Sequence, residues 1–551
     1  MRWLPVLVVL AAGGCGVFSS EDSPATPPGP DAGGIDGDAG ADSAMSVGGP
    51  AAPLFALGPV TTTTAIVHGT TAKVSISITR ELGFMDPVQI TTKNLRDGIT
   101  SAPLSITTDR GDLEISVPAA AAQGAADGVI EATAGGVTRT TPVSLLVGGK
   151  PGEIDTTYGA NGYVTGIFGK SVNFVDAKLA ADDSVFVVAT DSGAGSASVA
   201  HVHADGTLDK TYGTSGVATV GVYAPHTAAV QPDGKLVVVG GDLSHGTYVG
   251  RLDSAGHADT TFGQASNGPG TTILPAPGVG GVSAGSFGVV VRPDGDIIVG
   301  FDNPVSAPMP ADRVGVARLA PDGSLRTTFG TTGTARYANG DLLGVTVRDA
   351  PGTASNGSIV VVWADTTPSP HVLGFFQANG DTGGTDTTFG AAIKTVPIDG
   401  TSRPVAQRGA GLVTLSDQSI VAATTGASSF SFYLRKYDPK GDGVSSFGVA
   451  GLAGPFSAGT NALAPLSIAA QADGKLLIAV AALTAALQPA GMDAVRFTAT
   501  GTIDTAFGQS GHVADTVGYA SVVLVQKSGR IVLIGEGASP GHDALIGGYW
   551  P

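Results

Sequence analysis

The sequence predicts an all-β protein with two folded bodies, a β-sandwich followed by a closed ring of short four-stranded sheets, a seven-bladed β-propeller. Three observations carry this. A unit recurs seven times over residues 150–551, apolar and polar residues alternate strictly over 51–149, and 42% apolar against 14% charged residues accompany 83 Gly and 34 Pro among 551. Such a chain is apolar enough to bury several cores and turn-rich enough to connect many short strands. Its 29 basic and 46 acidic residues give a net charge of −17, which argues against nucleic acid or an anionic lipid surface as main partner. A single Cys excludes an internal disulfide framework and a thiolate metal cluster.

The first residues, MRWLPVLVVLAAGGCG, place Arg2 before an apolar stretch from Leu4 to Ala12 and the small pair Gly13 and Gly14. The stretch is too short to span a bilayer and reads as an export signal over 1–14. Cys15, the only Cys, follows directly, and here the segment resembles a bacterial lipoprotein signal. That resemblance implies lipidation of Cys15, with several acyl chains giving a stable anchor. The alternative is a plain secretory signal with a chance Cys. Gly16 after the Cys implies, by the same resemblance, the outer membrane or cell surface of a Gram-negative bacterium, with a periplasm-facing orientation left open. Residues 15–50 carry six acidic residues and no Lys or Arg, so they are expected to be a flexible acidic Gly/Pro/Ala linker. The Asp-Gly spacing of IDGDAGAD invites calcium, yet the bidentate Glu of such a loop is missing.

Over 51–149 the apolar residues share one face of each segment: Val74, Ile76 and Ile78; Val88 and Ile90; Leu113, Ile115 and Val117; Val143, Leu145 and Val147. Period two between turn residues predicts a half-buried antiparallel sheet, and about 100 residues of it fit a β-sandwich. Without Cys or Trp it is similar to the disulfide-free immunoglobulin-like modules of bacterial surface proteins, which serve as spacers.

In the propeller, one landmark reads IDTTYG (154–159), LDKTYG (208–213), ADTTFG (258–263), LRTTFG (325–330), TDTTFG (385–390), GVSSFG (443–448) and IDTAFG (503–508), with spacings of 50 to 67 residues. A second, an Asp-Gly-type turn before a β-branched run, also occurs seven times, as in PDGKLVVVG (232–240) and KSGRIVLIG (527–535). It is expected to join strands one and two; a later turn joins strands three and four, and the aromatic-Gly element is expected to end the fourth. The aromatic reads as a plug between neighbouring sheets. The first such element precedes any first strand, and the last unit supplies only three strands, so residues 154–159 are expected to complete the last blade and remove the open edges. The run Leu476 to Leu487 is expected to be a buried strand entering an Ala-rich loop.

On these motifs the units resemble the delta-60 repeats of bacterial surface and secreted proteins, over about 400 residues. Arg326 replaces the landmark Asp and Gln418 the turn Gly, which is expected to weaken those hairpins. The resemblance implies a fold and brings no catalytic residue.

The chain carries few candidate catalytic or metal-ligating residues. His201 and His203 alternate on a third strand and could hold a metal from one side, or be two half-exposed strand residues. His226, His245, His257, His371, His512 and His542 read as exposed loop residues. No nucleophile elbow, P-loop or dinucleotide fingerprint occurs. Trp3, Trp363 and Trp550 are too few for the Trp-bearing propeller repeats. The recurring Asp155, Asp209, Asp259, Asp386 and Asp504 are read as turn caps that accept backbone amides two residues on. No cofactor, metal or catalytic residue is therefore expected. The expected function is a non-catalytic cell-surface binding or adhesion scaffold, a monomer contacting an extracellular protein or glycan through its long-loop face and the membrane through its lipid anchor only. The alternative is an extracellular polymer-degrading hydrolase or lyase with carboxylates at the propeller mouth. Long irregular segments, Gln264 to Ser283, Phe301 to Asp312, Ala364 to His371, Ala391 to Gly411 and Val449 to Pro465, fall on the face opposite the Asp-Gly turns.

Overall fold

Alternation along the first body becomes two facing sheets. In the computed structural model, which describes residues 55–58, 65–81, 83–242, 246–274, 287–302, 313–348, 356–365, 372–386, 389, 394–397, 411–425, 431–456, 462–483, 491–537 and 543–551, a four-stranded and a five-stranded sheet enclose one core. Val74, Ile76, Ile78, Val88, Ile90, Leu113, Ile115, Val117, Val143, Leu145 and Val147 are all buried in it, while their alternate neighbours face outward.

Seven four-stranded antiparallel sheets follow among the described residues. Sheets 1 to 6 occupy 172–223, 225–274, 287–338, 341–397, 412–456 and 462–515; sheet 7 combines 519–549 with the early strand Tyr163–Val164. First strands of consecutive sheets lie against one another, and that of sheet 7 lies against that of sheet 1. This is a β-propeller arrangement. Each sheet is buried on both faces, so its middle strands are apolar throughout instead of alternating. In Val185–Asp191, for example, Val185, Val187 and Ala189 pack towards sheet 7, whereas Phe186 and Val188 pack towards sheet 2. Leu476–Leu483 is a strand, as expected.

The fourth strand corrects the expectation. It does not end at the aromatic-Gly element but follows it: Val217–Tyr223 comes after Tyr212-Gly213, and Thr334–Ala338 after Phe329-Gly330. The landmark belongs to the connection between strands three and four, where Leu208, Ala258, Leu325 and Ile503 make single bridges back to the third strand. The closing strand is accordingly Tyr163–Val164, paired with Gly547 and Ile546, with Ile154 bridging to Tyr549 ahead of it. Thr271–Leu274, Lys394–Pro397 and Leu452–Phe456 are outer strands, so three of the supposed loop segments are partly sheet.

Candidate functional site

Every landmark aromatic is buried: Tyr158, Tyr212, Phe262, Phe329, Phe389, Phe447 and Phe507 are each at most 2% exposed. Each ring lies over the turn glycine of the next sheet. A Cβ on Gly206, Gly256, Gly323, Gly383, Gly441, Gly501 or Gly152 would come within 2.3–3.2 Å of that ring, closer than a side chain tolerates. The landmark Gly then donates its N–H to the next sheet: Gly159 to Asp205 O, Gly213 to Ala255 O, Gly263 to Asp322 O, Gly330 to Thr382 O, Gly448 to Thr500 O and Gly508 to Pro151 O, at 2.8–2.9 Å. Plug and hydrogen bond together set the spacing between sheets, as expected of the aromatic.

Below most plugs sits a small polar cluster, built from the residue just before strand two, the landmark residue and in most cases a third-strand residue. Sheet 2 uses Lys235, Arg251 and Asp259; sheet 6 uses Lys475, Arg496 and Asp504; sheet 7 uses Arg530 and Asp155. The landmark Asp caps its turn as read from the sequence: one oxygen accepts the amide two residues on, at Thr157, Thr211, Thr261 and Ala506. The second oxygen takes the cation. Burial pushes Asp259 and Asp504 up, but the hydroxyl and amide donors and the neighbouring Lys and Arg outweigh it and hold both below the ordinary carboxylate range. Arg251 and Arg496 also stack on Phe262 and Phe507, 4.5 and 4.2 Å from the ring centres.

Arg326 does not weaken its hairpin. In sheet 3 the carboxylate has moved to Asp296, just before strand two, where it is held by both Arg318 and Arg326. Gln418 likewise takes the left-handed conformation of the missing Gly, φ 64°, and keeps the turn closed with its N–H on Leu415 O.

In sheet 1 the same three positions are Ser184, His201 and Asp209. His201 Nε2 lies 2.8 Å from Ser184 Oγ and Nδ1 lies 2.9 Å from Asp209 Oδ2, the spacing of a hydrolytic triad. Yet Ser184 is buried, 2% exposed, and donates its hydroxyl to Asp182 Oδ1 at 2.6 Å, so its proton is committed to that turn carboxylate and not to His201. The cluster is the sheet-1 version of the repeated tie. His203 shares the same side, 3.9 Å from Asp209, but no group of three metal-ligating side chains occurs among the described residues. His226 and His512 lie in strands, correcting the loop reading, and His257 is exposed as expected; His245, His371 and His542 lie outside the described residues.

Polar groups near the axis are also committed to neighbours. Asp176, on the first strand of sheet 1, accepts Thr227 Oγ1 and Ala228 N of sheet 2 at 2.9 and 3.0 Å. Glu536 of sheet 7 accepts Phe174 N of sheet 1 at 3.1 Å, and Asp302 of sheet 3 accepts Leu342 N of sheet 4 at 2.8 Å. A groove of about 570 Å³ opens between the turns of sheets 2 and 3, floored by Lys235 and Arg251. Its cations are already engaged by Asp233, Asp259, Gln231 and Pro321 O.

The sandwich is joined to the propeller at the end of sheet 7 that carries its turns. Sheet 7 builds its strand three-to-four turn from two distant pieces: Trp550 N donates to Glu153 O and Gly152 N to Trp550 O, the bonds that Asp253 and Asp438 make within continuous turns. The Trp550 indole leans on Gly148 and Gly149, where a Cβ would meet it at 3.1 and 2.4 Å. Gln123 of the sandwich donates to Ile154 O at 3.1 Å and accepts Thr156 N at 2.8 Å. His68 reaches Glu153 at 2.8 Å. The sequence reading singled out neither His68, Gln123 nor Glu153. Cys15, the 1–50 segment and most of the long irregular segments lie outside the described residues.

Comparison with known proteins agrees with the propeller. The family model described as a domain of unknown function, DUF5122, beta-propeller, matches residues 231–262, which run from Gln231 through Arg251 and Asp259 to the Phe262 plug. No curated protein sequence matches the chain. Among solved structures it is similar to a quinonprotein alcohol dehydrogenase-like protein from Bacteroides thetaiotaomicron (10% identity, TM-score 0.34, covering 86% of this chain and 89% of that one). It is also similar to PorZ, a surface component of the type-IX secretion system of Porphyromonas gingivalis (11%, 0.35, 87% and 61%), and to a Hadza microbial sialidase (9%, 0.29, 84% and 89%).

Proposed function

We propose that this chain is a non-catalytic surface-binding scaffold: a seven-bladed propeller of delta-60 type, held out on an immunoglobulin-like sandwich and a tether lipidated at Cys15, which binds an extracellular glycan or protein. The seven-bladed reading draws on the cyclic contact of first strands and on an apolar core between every neighbouring pair of sheets, including 7 and 1. The observation that carries the binding reading is the site of the joint. Trp550, Glu153 and Thr156 all lie at the end bearing the Asp-Gly turns, so the sandwich covers part of that face. The opposite end, where the strands ending at Leu274, Phe301 and Pro397 leave their sheets, is left to a ligand. A hydrolase or lyase would need carboxylates free to exchange protons near the axis. Asp176 and Glu536 instead accept the amides of the adjoining strands.

The test is a glycan and cell-wall ligand array with the chain from residue 16 onward. Replacing 275–286 and 398–410 by short linkers should abolish binding without lowering the melting temperature. Unchanged binding, or loss only when the Asp-Gly turns are altered, contradicts the chosen face. Separately, Cys15→Ser should move the protein out of the membrane fraction, and its retention there would remove the lipid anchor from the reading.

A further inference from the structure

His68 presents both ring nitrogens to acceptors. Nδ1 lies 2.8 Å from Ala119 O within the sandwich, and Nε2 lies 2.8 Å from Glu153 Oε2 at the start of the propeller. A neutral imidazole carries one N–H and can satisfy only one of the two; the imidazolium carries two and satisfies both. Glu153 is in turn oriented by the amide of Lys150, which donates to Oε2 at 2.8 Å. The His68 side chain is 15% exposed, so water has limited access to replace a lost partner.

We propose that the joint between sandwich and propeller contains a pH-sensitive latch, in which protonated His68 clamps Glu153 and deprotonation frees the 150–153 segment. The charged groups acting on His68 are Glu153 and, in opposition, Lys150. The hydrogen bond to Glu153 raises the His68 pKa above its ordinary 6.5, with burial opposing. Burial pushes Glu153 up, but His68 and the Lys150 amide hold it below 4.5. The signs follow from linkage. A raised His contributes its full tie below 6.5 and loses it as pH rises through the folded value; a depressed Glu contributes above 4.5 and loses its share as pH falls through its own. The latch is therefore closed in mild acid and opens towards alkaline pH. Gln123 and Trp550 do not titrate in this range, so the bodies stay attached while the contact at 150–153 loosens. The latch is independent of what the propeller binds.

Hydrogen–deuterium exchange of the 147–153 peptide in the whole chain, corrected for the intrinsic effect of pH, tests this. Protection should fall, by up to roughly tenfold per pH unit, as pH rises from 6.5 to the raised His68 midpoint, and level off above it. His68→Gln and Glu153→Gln should each give a low, pH-independent protection. Glu153→Gln leaves the sandwich sequence intact, so it remains decisive should His68→Gln fail to fold. A flat profile in the unaltered chain, or the same fall in Glu153→Gln, overturns the latch.

Discussion

Arg326 grips Asp296 with two contacts, Nε to Oδ2 at 2.9 Å and Nη2 to Oδ1 at 2.8 Å, while Arg318 reaches the same carboxylate through Nε at 2.7 Å. Sheet 3 has thus exchanged the charges that sheet 2 places on Lys235 and Asp259. Asp296 is 1% exposed and the Arg318 side chain 11%, so Asp296→Asn alone should destabilise by about 3 kcal/mol, the low end for breaking a buried pair because the half-exposed Arg326 is rehydrated. Asp296→Lys combined with Arg326→Asp rebuilds the sheet-2 arrangement and should recover all but about 1 kcal/mol, a coupling measurable by a double-mutant cycle in denaturant.

Tyr158 and Tyr212 place a hydroxyl where five other sheets carry Phe, and among the described residues neither hydroxyl has a hydrogen-bond partner. Removing a buried unsatisfied group is favourable, so Tyr158→Phe and Tyr212→Phe should each stabilise by about 1 kcal/mol. Loss of stability would mean that the hydroxyls are engaged. Truncating the plug, as in Phe262→Ala, should cost about 3–5 kcal/mol.

Acid should unlock the sheets. Burial raises Asp209, but Thr211 and His201 outweigh it and bring it down to about 2 from 3.8; Asp259, Asp296 and Asp504 are depressed too. Groups depressed in the folded chain contribute their full stability above 3.8 and lose it as pH falls through the folded value. The melting temperature should therefore hold near pH 5 and drop steeply between about pH 4 and 2. Asp259→Asn should shallow that drop, and an unchanged slope would show that its ion pair is not part of it.

Closure rests on 151–164. Deleting 150–165 removes the strand paired with Gly547 and the carbonyl that receives Gly508 N–H, exposing the edge of Ala544–Tyr549. Aggregation and a lower melting temperature are expected. A soluble deletion with unchanged melting would contradict closure by this segment.

Much of this was legible because repetition averages away accidents. The recurring aromatic-Gly and Asp-Gly elements mark each sheet, and the alternation in KVSISITR and DLEISVP marks strands buried on one face. The fourth strand was misplaced because outer strands such as Thr334–Ala338 are half-buried and carry little apolar signal beside the β-branched landmark. The exchange at Asp296 needed two departures in one repeat to be compared with each other. The joint left no such trace: His68 and Glu153 are single polar residues 85 positions apart. Only Trp550 gave a hint, an aromatic where the other turns begin with residues such as Asp253, Asn379 and Asp438.

The divided turn of sheet 7 also imposes an order on synthesis. Tyr163 leaves the ribosome 384 residues before its partner Gly547, a wait of about twenty to eighty seconds at ordinary elongation rates of roughly 5–20 residues per second. The sandwich is complete before that wait begins, while Phe174, Val185 and Val187 have no seventh sheet to pack against until it ends. The longest-range pairing of the propeller is therefore also its last, and a nascent chain is most exposed to misassembly just before Trp550 meets Glu153.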